Sequence, residues 1–371
     1  MIKLLIIIVL ILTSILLGIL IGHYETFPYD ILKQSKILIH ENFKDESVNA
    51  EIYETDIDSL IDISNEQDIQ KKRKSLIQFI WKTQELPSNS NLIYEKEIID
   101  SKYESLKNLQ SINKLTVSMK DNVNSISYLF NSKTPNGNLI IYHQGHKGDF
   151  IHGIDTIQIF LNEGYDVLAL TMPLLGMNNQ PIVDIPNFGK IKLTTHNHLK
   201  FLESDNFSPI LYFLEPITIS LNYIDENFNY KSYSLLGISG GGWTTTLYSA
   251  LDDRISNSFS IAGSYPIYLR SDPKNLGDYE QLVPKLYSIS NYLELYIMSS
   301  YGENRTHIQF FNKNDPCCFS GNSFISYEDP VKNKISQLDN TDFQIYLDES
   351  HKEHKISKFV TDKIIEQLIK D

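Results

Sequence analysis

Five residues, Gly237-Ile238-Ser239-Gly240-Gly241, set a serine between glycines at the junction of two unlike segments. Tyr233 to Ile238 is an apolar run of strand length, and beyond it Trp243, Leu247, Ala250 and Leu251 recur at helical spacing. A strand that enters a helix through such a serine must turn sharply. The turn strains the serine backbone and lifts its hydroxyl clear of the sheet. Gly237 and Gly241 have no side chains to collide across it, and the N–H of Gly240 lies at a helix start, free to bind a developing oxyanion. A Walker-type phosphate loop is excluded, because no Gly-Lys-Ser/Thr follows.

A serine hydroxyl becomes a nucleophile only when a base takes its proton and a third group orients that base. The loops after the two later strands contain both residue types. Asn312-Lys313-Asn314-Asp315-Pro316 follows an apolar run from His307 to Phe311, and Asp348-Glu349-Ser350-His351-Lys352-Glu353-His354 follows one from Phe343 to Leu347. Ser239, Asp315 and His354 then occur in the order serine, acid, histidine. His351 is the alternative base, and a capping box from Ser350 to Glu353 would put the two histidines at the start of a helix. Asp329, Asp339 and Asp342 compete with Asp315 for the acid.

From residue 111 onward the elements that must position these groups are readable. Ile112 to Met119 and Ser125 to Phe130 are strands. Leu139 to Tyr142 is a buried strand that ends in His143-Gln144-Gly145-His146-Lys147-Gly148. Ile154 to Asn162 is a helix and Val167 to Thr171 the next strand, so a parallel βαβ unit is expected. A polar insertion covers 179–207, and Pro209 to Ile224 is a helix. Ser258 to Ala262 is a strand, 264–300 is an excursion ending in a helix at Tyr292 to Ser299, and Ile356 to Ile369 is the last helix. Within the excursion, Gly277-Asp278-Tyr279-Glu280-Gln281 is expected as a surface turn, with a cap over the site as the alternative.

The serine turn, the His143-Gln144-Gly145-His146 turn and the late aspartate and histidine together resemble the α/β-hydrolase superfamily over residues 111–371. The resemblance implies a mostly parallel central sheet flanked by helices. It also implies Ser239 as nucleophile, Asp315 as the orienting acid and His354 as general base. By the same resemblance the turn after Tyr142 supplies the second oxyanion donor, the backbone N–H of His146 or else of Gly145, beside that of Gly240. The implied activity is cleavage of a small-molecule or acyl ester through an acyl-enzyme. A peptidase with the same triad, acyl transfer to an acceptor other than water, and a non-catalytic binding protein on this scaffold are the alternatives.

The start of the chain reads differently. Residues 4–22 have no charged side chain, follow Lys3, and at helical rise span about 28 Å, close to the hydrocarbon thickness of a bilayer. An uncleaved single-pass anchor is expected, with the catalytic domain outside the cytoplasm; a cleaved signal peptide and a secreted protein are the alternative. The division is then 1–25 as the anchor, 26–110 as a mainly helical extension, and 111–371 as the catalytic domain. Asp68 to Thr83 is a helix within the extension, and Ile98 to Leu109 is expected as a second.

With a formal net charge of −13, nucleic acid is not expected as a partner. The two cysteines, Cys317 and Cys318, are adjacent, and are expected as a vicinal disulfide or as two buried thiols. His143, His146, Asp149, His196 and His198 are residue types that ligate metals. Without cysteines at ligand spacing or a helical His-Glu-x-x-His, they define no site, and neither metal nor cofactor is expected.

Overall fold

The computed structural model describes residues 10–18, 20, 55–88, 91–338 and 341–370. The chain divides into two compact units, Met1–Glu51 and Ile52–Asp371. In the first, residues 10–18 are helical and their leucines and isoleucines are exposed. Apart from these and residue 20, the apolar run at 4–22 lies outside the described residues, as do residues 26–54. Among the described residues no helix is long and apolar enough to cross a membrane.

The second unit is built on eleven strands: β1 (Leu92–Glu95), β2 (Leu109–Ser118), β3 (Asn124–Ser132), β4 (Leu139–His143), β5 (Asp166–Leu170), β6 (Ile182–Ile185), β7 (Gly189–Lys192), β8 (Tyr233–Ile238), β9 (Ile255–Ile261), β10 (Arg305–Asn312) and β11 (Thr341–Asp348). Nine of them form one sheet in the order β1-β2-β3-β5-β4-β8-β9-β10-β11. From β5 to β11 every pair is parallel; β1, β2 and β3 extend the sheet antiparallel. The insertion at 179–207 contributes a separate hairpin of β6 and β7.

The parallel strands read as continuous apolar runs because both faces of the sheet are covered. Leu139, Ile141, Leu168 and Leu235 belong to one core, and Ile140, Tyr142, Val167 and Leu236 to the other. Helices α1 (Glu66–Trp81), α3 (Leu211–Asn227), α4 (Gly240–Leu251) and α5 (Tyr292–Ser300) cover the first face; α2 (Ile154–Asn162) and α7 (Lys358–Lys370) cover the second. Trp243, Leu247 and Ile80 are fully buried in the first core. At about 1.5–3 kcal/mol for each large apolar side chain removed from water, these layers hold α1 and α4 firmly against the strands. Arg73 of α1 also donates from Nε to the carbonyl of Ala250, at the C-terminal end of α4, at 3.0 Å.

The helix expected over Ile98 to Leu109 does not form. Asp100 caps a single 3₁₀ turn, Ser101–Tyr103, and Tyr103 packs between Tyr128, Phe130 and Phe150. Asn108, with φ of 58°, then redirects the chain into β2. Two elements were hidden in the sequence. Strand β1 alternates exposed and half-buried residues over only four positions. Helix α6 (Ile325–Ser336) is polar and contains Pro330; only Tyr327, Val331 and Ile335, four apart, betray its buried face.

Candidate active site

Strand register brings the chemistry-bearing loops to one sheet edge. His143 at the end of β4 pairs with Gly237 of β8, so the turn after β4 starts beside the serine. Asn312 at the end of β10 pairs with Asp348 at the end of β11, so the aspartate and histidine loops leave the sheet side by side. Ligand and reaction sites of open parallel sheets form at this carboxyl edge.

Ser239 sits at φ 58°, ψ −124°, between β8 and α4. A non-glycine residue held there costs on the order of 1–3 kcal/mol and persists because its surroundings enforce it. A Cβ on Gly237 would overlap the carbonyl of Gly241, so only glycine permits the turn. The N–H of Trp243 donates to the Ser239 carbonyl at 3.0 Å. The amides ahead of it have no acceptor within the helix and are available to an anion.

Asp315 and His354 are 2.7 Å apart, Oδ2 to Nδ1, and the Asp315 side chain is 2% exposed. The other oxygen, Oδ1, accepts the N–H of Cys317 at 2.8 Å, which locks the carboxylate plane. Burial disfavours a charged His354, but its bond to Asp315 and the charge behind it outweigh burial and raise the imidazole pKa. Asn312 fastens the two loops by donating from Nδ2 to the carbonyl of Glu353 at 2.7 Å. His351 is engaged elsewhere: its Nε2 is 3.2 Å from Asp348 and its Nδ1 accepts the Glu353 N–H at 3.1 Å. Asp329 lies on α6 and Asp342 on β11, away from these loops, and Asp339 lies outside the described residues.

The cysteines border both the serine and the histidine. The thiols of Cys317 and Cys318 and a ring nitrogen of His354 are all within 4.8 Å of one another, and Cys318 also interacts with the Ser239 hydroxyl. Both thiols are free, and Cys317 is exposed, so the pair is neither a disulfide nor buried. A hydrogen bond with Cys318 pulls the Cys317 thiol down to about 6, against the effect of burial.

The turn after β4 presses against the serine. A Cβ on Gly145 would overlap the Ile238 carbonyl and lie 2.7 Å from the Ser239 Cβ. Gly145→Ala is therefore expected to push this turn off the serine and lower kcat by about 10²-fold, the usual consequence of a displacement near 1 Å. Steady-state hydrolysis of a chromogenic ester, with circular dichroism as the folding control, checks it; unchanged kcat refutes it.

The five residues of metal-ligating type, from which no site was expected, part company. His143 is buried against the carbonyl of Gln144, and burial lowers its pKa to about 4. Asp149 caps a 3₁₀ turn through the N–H of Ile151, and His198 accepts the N–H of Thr194. His146 and His196 do meet, and they meet Asp278 and Glu280. Glu280 is 0% exposed, so the segment 277–281 is not the surface turn expected. Burial opposes both charges here. Asp278 and Glu280 nevertheless raise His146 to about 10, and His196 and His146 hold Glu280 well below the usual carboxylate range. The sequence offered His146 and His196 as ligand types, but no spacing joins this group, since its members come from three distant segments.

No protein-family model matches the chain, and no curated protein is similar to it in sequence. Solved structures are similar in fold. An acetyl xylan esterase from Paenibacillus sp. R4 is 14% identical with a TM-score of 0.53, over 85% of this chain and 98% of that one. Acetyl xylan esterase 1 from Thermoanaerobacterium sp. JW/SL YS485 is 13% identical with a TM-score of 0.53, over 82% and 93%. The methylesterase BT1017 is 14% identical with a TM-score of 0.51, over 82% and 62%. The fold is thus α/β-hydrolase-like, with a mainly parallel sheet flanked by helices.

Proposed function

We propose that the protein is a serine esterase acting on small, short-acyl esters. The observation that carries this reading is the strained Ser239, in contact with a Cys318 that also neighbours a His354 already bonded to Asp315. In this reading the Ser239 Oγ attacks the ester carbonyl as its proton passes to His354 Nε2. Asp315 steadies the imidazolium through Nδ1–H, and the amides of Gly240 and His146 receive the oxyanion. The tetrahedral intermediate collapses, His354 returns the proton to the departing alkoxide, and the alcohol leaves. Water, deprotonated by the same histidine, then attacks the acyl-serine and releases the acid.

A short acyl group is favoured because Gly240, next to the serine, is closely packed. A Cβ on Gly240 would come within 2.6 Å of the Met172 Cε and 2.5 Å of the His146 Cε1. The acetyl xylan esterases and the methylesterase of similar fold are named for small ester groups as well. Hydrolysis of p-nitrophenyl acetate, butyrate and octanoate beside peptide anilides tests the reading. The acetate should give the highest kcat/KM; faster cleavage of the anilides would make the protein a peptidase.

The uncharged run at 4–22 and the exposed leucines of residues 10–18 support an N-terminal membrane anchor with the catalytic unit outside the cytoplasm. Membranes washed with alkaline carbonate should retain the full chain, and protease added to intact cells should reach residues 52–371. Release by the wash would remove the anchor from the reading.

A further inference from the structure

We propose that His146, His196, Asp278 and Glu280 form a binding site for a divalent transition metal of the zinc class, which fastens both insertions to the turn after β4. The inference stands apart from the esterase reading, since it rests on the geometry of these four side chains. His146 lies on the turn after β4, His196 in the 179–207 insertion, and Asp278 and Glu280 in the 264–300 excursion. Each directs a polar atom at a common centre, and those atoms are within 4.8 Å of one another.

The separations suit ligands sharing one ion. His146 Nε2 is 3.1 Å from His196 Nδ1, 3.1 Å from Asp278 Oδ2 and 3.2 Å from Glu280 Oε1; His196 Nδ1 is 3.3 Å from Glu280 Oε2 and 3.8 Å from Asp278 Oδ2. Four ligands placed tetrahedrally about 2.0–2.1 Å from zinc are about 3.3–3.4 Å apart. Close as these contacts are, neither oxygen of Glu280 has an aligned hydrogen-bond donor, although that side chain is completely buried. A buried carboxylate with both oxygens unsatisfied calls for a cation at its face.

The outer contact of His196 has the form that metal-bound histidines adopt. Its Nε2 is 3.0 Å from the carbonyl of Pro173, and a carbonyl can only accept. The proton therefore sits on Nε2, which turns the lone pair of Nδ1 toward the cluster. Two imidazole nitrogens with two carboxylates select zinc, cobalt, nickel or iron over calcium and magnesium, which prefer an all-oxygen shell.

The test uses the full chain in mild detergent, stripped with dipicolinate, reloaded with zinc and gel-filtered before elemental analysis. About one zinc per chain should survive filtration. Cobalt in its place should give the visible bands of a tetrahedral ion with no thiolate charge-transfer band. Asp278→Asn alters a half-exposed rim position, and His196→Gln removes a ring ligand. Each should weaken zinc binding by at least about 10²-fold with unchanged circular dichroism, since losing even an outer partner costs 10- to 100-fold. Reloaded, folded protein that retains no zinc would overturn the proposal and leave a protonated imidazole closing the cluster. So would zinc held equally well by the Asp278→Asn variant. A cobalt charge-transfer band abolished by Cys317→Ser would overturn it too, by moving the ion to Cys317, Cys318 and His354.

Discussion

Ser239→Ala and His354→Ala are each expected to abolish covalent labelling by a fluorophosphonate and to lower ester hydrolysis by about 10⁶-fold, whereas His351→Ala keeps both. The serine variant loses the only atom that would bond to phosphorus or to the acyl carbon. The His354 variant keeps the hydroxyl but nothing to deprotonate it, and labelling reports that loss because the probe reacts only with an activated serine. His351 is spared because Asp348 and the Glu353 N–H occupy its ring nitrogens, so its role is to shape the loop. Labelling the full chain and its three variants side by side is the decisive measurement. If His351→Ala loses labelling while His354→Ala retains it, the base has been misassigned. If folded wild-type protein does not label, the scaffold carries no activated serine and a binding function takes its place.

The second large effect is expected at Asp315. Asp315→Asn should lower kcat on the order of 10⁴-fold with little change in KM. The reason is a tautomer. The Cys317 N–H needs an acceptor, so the asparagine keeps its carbonyl oxygen there and turns its NH₂ toward His354. That NH₂ donates to Nδ1 and drives the imidazole proton to Nε2, the atom that must accept from the serine.

The pH profile separates this from simple loosening of the loop. As the proposed base His354 must be neutral, so kcat/KM is expected to fall as pH drops through its pKa. In the wild-type protein Asp315 holds that pKa above the ordinary histidine value, so the acid limb lies correspondingly high. Without the carboxylate, burial and the charge on His146 favour the neutral imidazole and only Cys317 opposes them, so the limb should move to lower pH while the maximum falls. A profile measured with an uncharged ester checks the sign. An acid limb unmoved in Asp315→Asn would mean that His354 does not titrate against Asp315 in the working enzyme.

The alternation of apolar runs with helical spacing from 139 to 262 already implied a parallel sheet, because strands covered on both faces have no polar side to show. The strained turn at Ser239 was readable for a local reason as well: a Cβ on Gly237 would strike the backbone of Gly241 four residues on, so the turn itself demands glycine. Residues 98–109 were not readable. Their apolar spacing suits a helix, but Tyr103 gains more from the aromatic cluster around Phe150 than a helix would provide.

Position in the chain was enough to nominate His354 and Asp315, yet it left His351 and three other aspartates open. Register between β10 and β11, together with the Asn312 side chain, decided which pair would touch. The cluster of His146, His196, Asp278 and Glu280 was beyond the reach of spacing altogether. Its members lie up to 134 positions apart, from residue 146 to residue 280. Local propensity acts over a few residues, and only folding both insertions onto the carboxyl edge of the sheet brings such groups within 4.8 Å.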